Sequence, residues 1–202
     1  MVLKAEKEIK QVDTMAKNGI SIRFKEFTLI IDDIDVWDEE EELSKIQTDT
    51  VVVYPELGEM LSGNSMSIIG CNYNTIAVYQ RFENSITIMN EGPHCDMLNW
   101  KHYTSDWEQI AHYNGLNYTA NSISEEQMDK FIHVDIDEFK NAVMNHCGEK
   151  WAELVKNVSS VKEYPCGIGT ITSKIELRIR LSNLGTSKYT EKIIKFEIAM
   201  GC

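Results

Sequence analysis

The stretch ITSKIELRIRLSNLGTSKYTEKIIKFEIAM, residues 171–200, decides the fold. Apolar and charged side chains alternate along most of it, which is the period of a strand with one buried and one wet face. The alternation breaks near 183–185, where a turn is expected. The stretch therefore predicts a long C-terminal hairpin. Its buried face is predicted to hold Ile171, Ile175, Leu177, Ile179, Leu181, Ile194, Phe196, Ile198 and Met200.

Shorter β-prone runs lie upstream of the hairpin. SMSIIG (65–70), TIAVYQRF (75–82) and SITIMN (85–90) are separated by the turn-rich CNYN and EN, which predicts an antiparallel meander. TDTVVVYP (48–55) reads as a short buried strand stopped by its proline. Between residues 20 and 31 the alternation changes phase, which predicts one strand with a bulge near 25–26.

Four segments carry helical signals. Residues 3–17 are loosely amphipathic. Ser105 opens a capping-box pattern that predicts a helix over DWEQIAHY (106–113), and a similar pattern predicts a short helix over 124–131. Apolar residues at three- and four-residue spacing predict the longest helix, from about 137 to 158.

The order of strands, helices and strands indicates an α+β fold rather than a doubly wound parallel sheet. A chain of 202 residues with 43% hydrophobic content fits one core. The prediction is one α+β domain over residues 1–202: a mainly antiparallel sheet, formed by the meander and the long C-terminal hairpin, packed with about four helices.

The net charge of −12 is unevenly distributed. Residues 1–31 hold six basic and four acidic residues (+2), residues 162–202 hold seven and four (+3), and residues 32–161 hold seven and twenty-four (−17). Such a field repels nucleic acid and anionic membranes and speeds encounter with a basic protein. We therefore expect a basic protein partner, with no nucleic acid and no membrane; the oligomeric state stays open.

The acidic stretch DDIDVWDEEEE, residues 32–42, is the first candidate site, since eight of its eleven residues are acidic and Trp37 stands among them. Charge selects a partner and a central aromatic supplies binding energy. A solvated loop and a weak cation site at the first three aspartates are the alternatives, although no EF-hand pattern is present. The predicted partner-binding residues are Asp32, Asp33, Asp35, Trp37, Asp38, Glu39, Glu40, Glu41 and Glu42.

The second candidate site is rich in histidine. His94, Cys95, His102 and His112 are residue types that bind zinc or act as a nucleophile with its base. Their spacing matches no established zinc pattern, so they are weak metal candidates, and packing of an aromatic corner is the simpler account. We expect no cofactor, because CGIGT (166–170) lacks the third glycine of a dinucleotide fingerprint and no GxxxxGK occurs.

The five cysteines are odd in number and scattered, which fits reduced thiols in the cytoplasm better than a disulfide framework. No secretory signal or membrane span is apparent either. The basic residues Arg178, Arg180, Lys188, Lys192 and Lys195 suggest a phosphate-binding stripe or, because glutamates interleave with them, a solvated strand face.

The function predicted from these observations is a soluble, acidic, cytoplasmic protein-binding protein. The best fit is an inhibitor of a basic partner, such as a toxin immunity protein or an antitoxin against a nuclease-type toxin. The alternative is a small metal-dependent or cysteine hydrolase that uses the His94 to His112 region, and a third reading is a domain that oligomerises through its last hairpin.

Overall fold

Thirteen strands and three helices make up the part of the chain that the structure, a computed structural model, describes: residues 12–14, 19–37, 49–89, 94–161, 167–185 and 187–198. Strands account for 47% of it and helices for 14%. The strands are β1 (Val12–Thr14), β2 (Gly19–Arg23), β3 (Thr28–Asp32), β4 (Thr50–Val53), β5 (Ser65–Ile69), β6 (Thr75–Met89), β7 (His94–Asp96), β8 (Tyr103–Thr104), β9 (Glu108–Ile110), β10 (His112–Asn114), β11 (Asn117–Thr119), β12 (Ile168–Ser182) and β13 (Tyr189–Glu197). The helices are α1 (Glu125–Met128), α2 (Ile136–Cys147) and α3 (Glu149–Val155).

The larger sheet is built on β6 and β12, two 15-residue strands that pair antiparallel along their length. β13 pairs antiparallel with the other edge of β12, and β4 adds to β13 in parallel. The second edge of β6 is occupied in turn by the short strands β9, β8 and β7. The predicted C-terminal hairpin, β12 with β13, is therefore confirmed as the centre of this sheet.

The smaller sheet has the order β1-β2-β3-β5-β11-β10 and is antiparallel throughout. Its buried side chains and those of the larger sheet form one hydrophobic cluster, so the two sheets pack as a sandwich. Alternation explains this packing, because every second residue of each strand points to the same side. From the small sheet the cluster takes Ile20, Ile22, Leu29, Ile31, Met66 and Ile68, and from the large sheet Val78, Phe82, Ile175, Leu177, Ile179, Leu181, Ile194 and Phe196.

The helices α2 and α3 cover a second cluster, at the other end of the two long strands. Ile86 and Ile88 of β6 alternate in phase with Phe82, so this cluster lies on the same face of the large sheet as the first. Phe139 and Val143 of α2 are fully buried against it. Burial of each such side chain stabilises the fold by about 1.5–3 kcal/mol.

Two buried polar side chains share this face of β6, and one of them, Asn84, lies between the two clusters. Gln80 exchanges two hydrogen bonds with the backbone of Asn121, at 2.9 and 3.0 Å. The Asn84 amide donates to the carbonyls of residues 127, 128 and 130, and its oxygen accepts from the Thr172 hydroxyl at 3.1 Å. These bonds satisfy the amides in the interior and fix the chain around α1 to the sheet.

The prediction of about four helices packed on the sheet is wrong. DWEQIAHY forms β9 and β10, because Ser105 bonds β6 instead of capping a helix: its backbone N–H donates to the Phe82 carbonyl at 2.9 Å, and its hydroxyl accepts from the Phe82 N–H at 3.0 Å. The predicted long helix is split into α2 and α3 by Gly148, whose φ of 87° ends α2. Of the predicted N-terminal helix, residues 12–14 form β1 and the rest lies outside the described residues.

The predicted meander is also wrong. TIAVYQRF and SITIM belong to one continuous strand, β6, because Asn84 finds its partners in the interior and no turn is needed there; Asn90 lies outside the described residues. SMSIIG forms β5, which belongs to the other sheet. The predicted bulge at 25–26 is a tight turn between β2 and β3, closed by a 2.8 Å bond from the Phe24 N–H to the Phe27 carbonyl.

One residue of the predicted hairpin face is misplaced, and another, Met200, lies outside the described residues. The register of β12 against β6 shifts between Thr172 and Lys174, which leaves Ser173 as an extra residue. Ile171 consequently lies opposite Ser85 and out of phase with Ile175. The inserted residue cannot be recognised from the sequence, because the two-residue alternation of side chains is regular both before and after it.

Candidate binding surface

The acidic stretch begins where β3 ends and leaves the small sheet through a fixed loop. Asp33 takes a left-handed backbone conformation with φ 57°, which aspartate tolerates better than most residues. The Asn64 amide donates to the carbonyl oxygens of Asp32 and Asp33 at 3.0 and 2.8 Å. Ile34 is 1% exposed in the sandwich core, so the loop is anchored from inside. Asp38 to Glu42 lie outside the described residues.

A second segment, just after β4, holds the loop from the other side. Val36 and Pro55 form an isolated antiparallel bridge. The Trp37 N–H donates to the Tyr54 carbonyl and the Glu56 N–H donates to the Asp35 carbonyl, both at 2.9 Å. The two segments thus make a miniature two-stranded ladder, and its backbone geometry fixes where the side chains emerge.

This ladder presents apolar side chains at the surface. Trp37 is 56% exposed, Tyr54 45% and Leu57 61%. The backbone bond between positions 37 and 54 brings the two aromatic residues next to each other. Large apolar residues grouped at a surface mark interaction sites more often than isolated ones do.

Exposed carboxylates accompany these residues along the chain. Asp35 lies on one arm of the ladder and Glu56 on the other, and Asp32 and Asp33 lie just before the ladder at the end of β3. We call Trp37, Tyr54, Leu57 and these four carboxylates the acidic aromatic surface. Sequence reasoning found one arm and missed the other, although Tyr-Pro-Glu-Leu-Gly at 54–58 is a turn signal that leaves its apolar residues without a strand to bury them.

The histidine-rich candidate site does not assemble in the described residues. His102 lies on the large sheet with its Nε2 3.5 Å from a Glu83 carboxylate oxygen. His112 lies on β10 of the other sheet, with its ring edge-on to Tyr118 at 6.4 Å between centroids. His94 begins β7. No group of three His, Cys, Asp or Glu side chains able to hold a metal ion occurs among the residues described.

Cys95 is joined to Cys147 by a disulfide between β7 and the end of α2, with the two Cα atoms 6.0 Å apart. The prediction of reduced thiols is therefore wrong for these two residues, which sequence separation of 52 positions gave no reason to pair. Cys71 is a free thiol. A bonded Cys95 has no thiolate with which to attack a substrate.

The predicted basic stripe is also divided by the fold. Arg178, Arg180 and Lys195 lie on the solvent side of the large sheet, whereas Lys192 is buried and points the other way. Lys192 pairs with Glu26 at 2.8 Å and Asp49 at 2.5 Å. It therefore stabilises the end of the sandwich and is unavailable to a phosphate.

No protein-family model, curated protein or solved structure matches this chain. The described residues contain no helix that is both long enough and apolar enough to cross a membrane.

Proposed function

We propose that this chain is a protein-binding protein that inhibits a basic partner through the acidic aromatic surface, in the manner of an immunity protein or antitoxin directed at a nuclease-type toxin. The observation that carries the proposal is the pairing of exposed Trp37 and exposed Tyr54 on a ladder flanked by carboxylates. Tryptophan and tyrosine dominate the energetics of protein interfaces. The carboxylates of residues 32–42 supply the charge that a basic surface requires.

The rigidity of the two-stranded ladder formed by residues 35–37 and 54–56 supports this function. Because Ile34 is buried and Asn64 fixes the loop backbone, the aromatic pair loses little freedom when a partner covers it. Preformed surfaces bind more tightly than loops that must be ordered on binding. The hydrolase alternative has less support, because Cys95 is bonded to Cys147 and His112 lies on a different sheet from His94.

A cytoplasmic location stays a prediction. The Cys95–Cys147 disulfide argues against it, since disulfides persist mainly in oxidising compartments. An inhibitor that meets its basic target outside the cytoplasm is equally compatible with the acidic aromatic surface.

The test begins with a pull-down at low and high ionic strength that identifies basic proteins retained by the chain. The retained protein is then purified and its binding kinetics measured with Trp37→Ala, Tyr54→Ala and the double variant Asp35→Asn/Glu56→Gln. Each aromatic substitution is expected to raise the dissociation rate by about tenfold or more, corresponding to more than about 1.4 kcal/mol. The double variant should slow association and reduce its salt dependence.

Tyr113→Ala is the matched control, since Tyr113 is 63% exposed but lies on β10. It should leave both rates unchanged. Inhibition of the partner's nuclease or other activity by the wild type, and weaker inhibition by Trp37→Ala, would complete the case. If none of the acidic or aromatic substitutions changes the association or dissociation rate, the acidic aromatic surface is not where the partner binds.

A further inference from the structure

The solvent side of the large sheet carries a stack of cations and aromatic rings that the proposed function does not use. The Arg178 guanidinium carbon lies 4.2 Å from the Trp107 ring centroid and 4.8 Å from that of Tyr79. The Arg180 carbon lies 5.6 Å from Tyr79 and 4.9 Å from Tyr189. Arg81 stacks on Trp107 at 4.5 Å. We call these six residues the arginine ladder.

The arginine ladder carries more positive than negative charge. Arg81, Arg178, Arg180 and the neighbouring Lys195 lie beside Glu176, which pairs with Arg81 and Lys195, and Glu191, which accepts from the Arg180 Nε at 2.7 Å. With Lys174, Glu83 and Glu197 on the same face, five cations stand against four carboxylates, which leaves +1 in a chain whose total is −12.

One donor of the ladder has no acceptor. The Arg178 side chain is only 15% exposed, and its Nε is buried with no hydrogen-bond partner, since the nearest Glu191 oxygen is 3.9 Å away. A buried donor without an acceptor costs about 1–3 kcal/mol, more for a charged group. Stacking between two rings holds this guanidinium in place, and the neighbouring Arg81 and Arg180, whose side chains are 33% and 35% exposed, present guanidinium groups that a carboxylate from outside can reach.

We propose that the arginine ladder docks the acidic stretch 32–42 of a second copy of this chain. That stretch supplies eight carboxylates within eleven residues together with an exposed tryptophan, and the ladder ends in Tyr189, which is 58% exposed. Guanidinium–carboxylate pairing and aromatic contact then act over one interface. The inference uses the same acidic stretch as the proposed function, so docking of a second copy competes with the basic partner.

The geometry of this contact is head-to-tail, because each copy uses two different surfaces. Such contacts leave one free surface of each kind and build rings or open chains rather than a closed symmetric dimer. The charge of −12 opposes association at long range, but at about 0.15 M salt the Debye length is about 8 Å, so contacts between adjacent groups outlast the general repulsion.

The test is the solution mass of the full chain, measured by sedimentation over a concentration series at about 0.15 M and about 1 M salt. The ladder variants are Tyr189→Ser and Arg178→Met, and the acidic-stretch variant is Trp37→Ala/Asp35→Asn. The wild type is expected to grow beyond a dimer at the lower salt and dissociate at the higher. Each variant alone should lower the association constant about tenfold or more, and Tyr113→Ala should not. Unchanged thermal unfolding shows that each variant is folded.

Mixing provides the decisive result. A variant in the arginine ladder keeps its acidic stretch, and the acidic-stretch variant keeps its arginine ladder. One copy of each can therefore pair, but the pair has no intact surface left, so a mixture of the two is expected to stop at a dimer. A synthetic peptide IDDIDVWDEEEEL, residues 31–43, should dissociate the wild-type assembly, whereas the same peptide with Asn and Gln in place of Asp and Glu should not. A wild type that stays monomeric at every concentration, or a mixture that does, overturns the inference.

The outcome is separable from that of the proposed function. Tyr189→Ser and Arg178→Met should keep the wild-type affinity for a basic partner, while Trp37→Ala loses both activities. Self-association, if no basic partner is found, would support only the contact with the arginine ladder. Binding of a basic partner by a strictly monomeric chain would support only the proposed function.

Discussion

Lys192 shows how one side chain links three segments of the molecule. It is 5% exposed and pairs with Glu26, in the turn after β2, and with Asp49, just before β4. Burial is the largest influence on its pKa and lowers it, but the hydrogen bonds to Asp49 and Glu26 outweigh burial, so the net pKa is raised above the usual 10.5. The ion pair with Asp49 anchors the residue that immediately precedes β4.

The raised pKa of Lys192 predicts a loss of stability in alkali. Because the folded pKa lies above the unfolded one, the ammonium contributes its full stabilisation below pH 10.5 and loses it as the pH rises through the folded pKa. Burial, with a smaller effect from Cys71, also raises the pKa of Tyr118 above 10.0, which acts in the same direction. Lys192→Met should lower the free energy of unfolding by about 1–3 kcal/mol at neutral pH, since it leaves two partly exposed carboxylates unpaired.

Urea unfolding at a series of pH values checks this. The variant should lose less stability than the wild type when the pH rises above 10.5, because only the Tyr118 contribution remains. Lys156→Met is the control: Lys156 is mostly exposed in its ion pair with Glu153, and the change should stay within about 0.5 kcal/mol. If the free energy of unfolding of the wild type and of Lys192→Met falls in parallel as the pH rises, the ion pairs of Lys192 are not the cause of the loss of stability in alkali.

At the scale of elements, the C-terminal hairpin and two of the helices were predictable, whereas the continuity of β6 and the strands at 108–114 were not. The hairpin of β12 and β13 follows from alternation alone, since its paired residues are close in sequence. Residues 105–113 do not form the predicted helix, because Ser105 bonds Phe82 on the edge of β6, 23 residues away. Long-range pairing thus outweighs the local capping pattern at Ser105, while the capping box at Ser124 forms as predicted.

The candidate site was likewise predictable only in part. The arm that carries Trp37 stands out because of its composition, which is visible in the sequence. The arm that carries Tyr54 joins it through the Val36–Pro55 bridge, which pairs positions 19 residues apart without regular strand on either side. The turn signal at 54–58 indicates apolar residues without a strand but not that pairing, so the joining of the two arms could be found only from the fold.

Gly167 sets where β12 begins, and its substitution provides a test at the scale of the element. Its φ is 71°, and an added Cβ would collide with the Met89 carbonyl oxygen at the end of β6. Its own carbonyl accepts from the Met89 N–H at 2.6 Å, so the residue cannot move away without breaking the first contact of the two long strands. Gly167→Ala should therefore lower the free energy of unfolding by about 3 kcal/mol or more, from left-handed strain plus the collision.

Gly185→Ala separates these two effects. Gly185 has a φ of 78°, but no heavy atom lies within 4 Å of where its Cβ would be. The control should therefore cost only the conformational strain, about 1–2 kcal/mol. Chemical denaturation of both variants measures the difference, and equal losses would mean that the end of β6 yields to an added methyl group.

At the scale of the whole molecule, one face of the β6–β12 pair supports two cores with different partners. The sandwich core joins this face to the small sheet, while the second core joins it to α2 and α3. Asn84 lies between them, and both Asn84 and Gln80 bind the backbone near α1. The disulfide crosses only the second core, from β7 to the end of α2. The acidic aromatic surface belongs to the sandwich, so its geometry should not depend on the disulfide.

That separation predicts a local response to reduction. Closure of the 52-residue loop by Cys95–Cys147 stabilises the fold by about 2–4 kcal/mol in the chain-entropy description. Treatment with a reductant, or the double variant Cys95→Ser/Cys147→Ser, should speed amide hydrogen exchange in α2, α3 and β7 while exchange in β2, β3 and β5 stays slow. Cys71→Ser, which removes a free thiol, should change neither pattern. Binding of the basic partner should survive reduction, because Trp37 and Tyr54 are held by the sandwich alone. Uniform acceleration across both cores would instead show that the two unfold as one unit and that the oxidation state governs the whole molecule, including its binding surface.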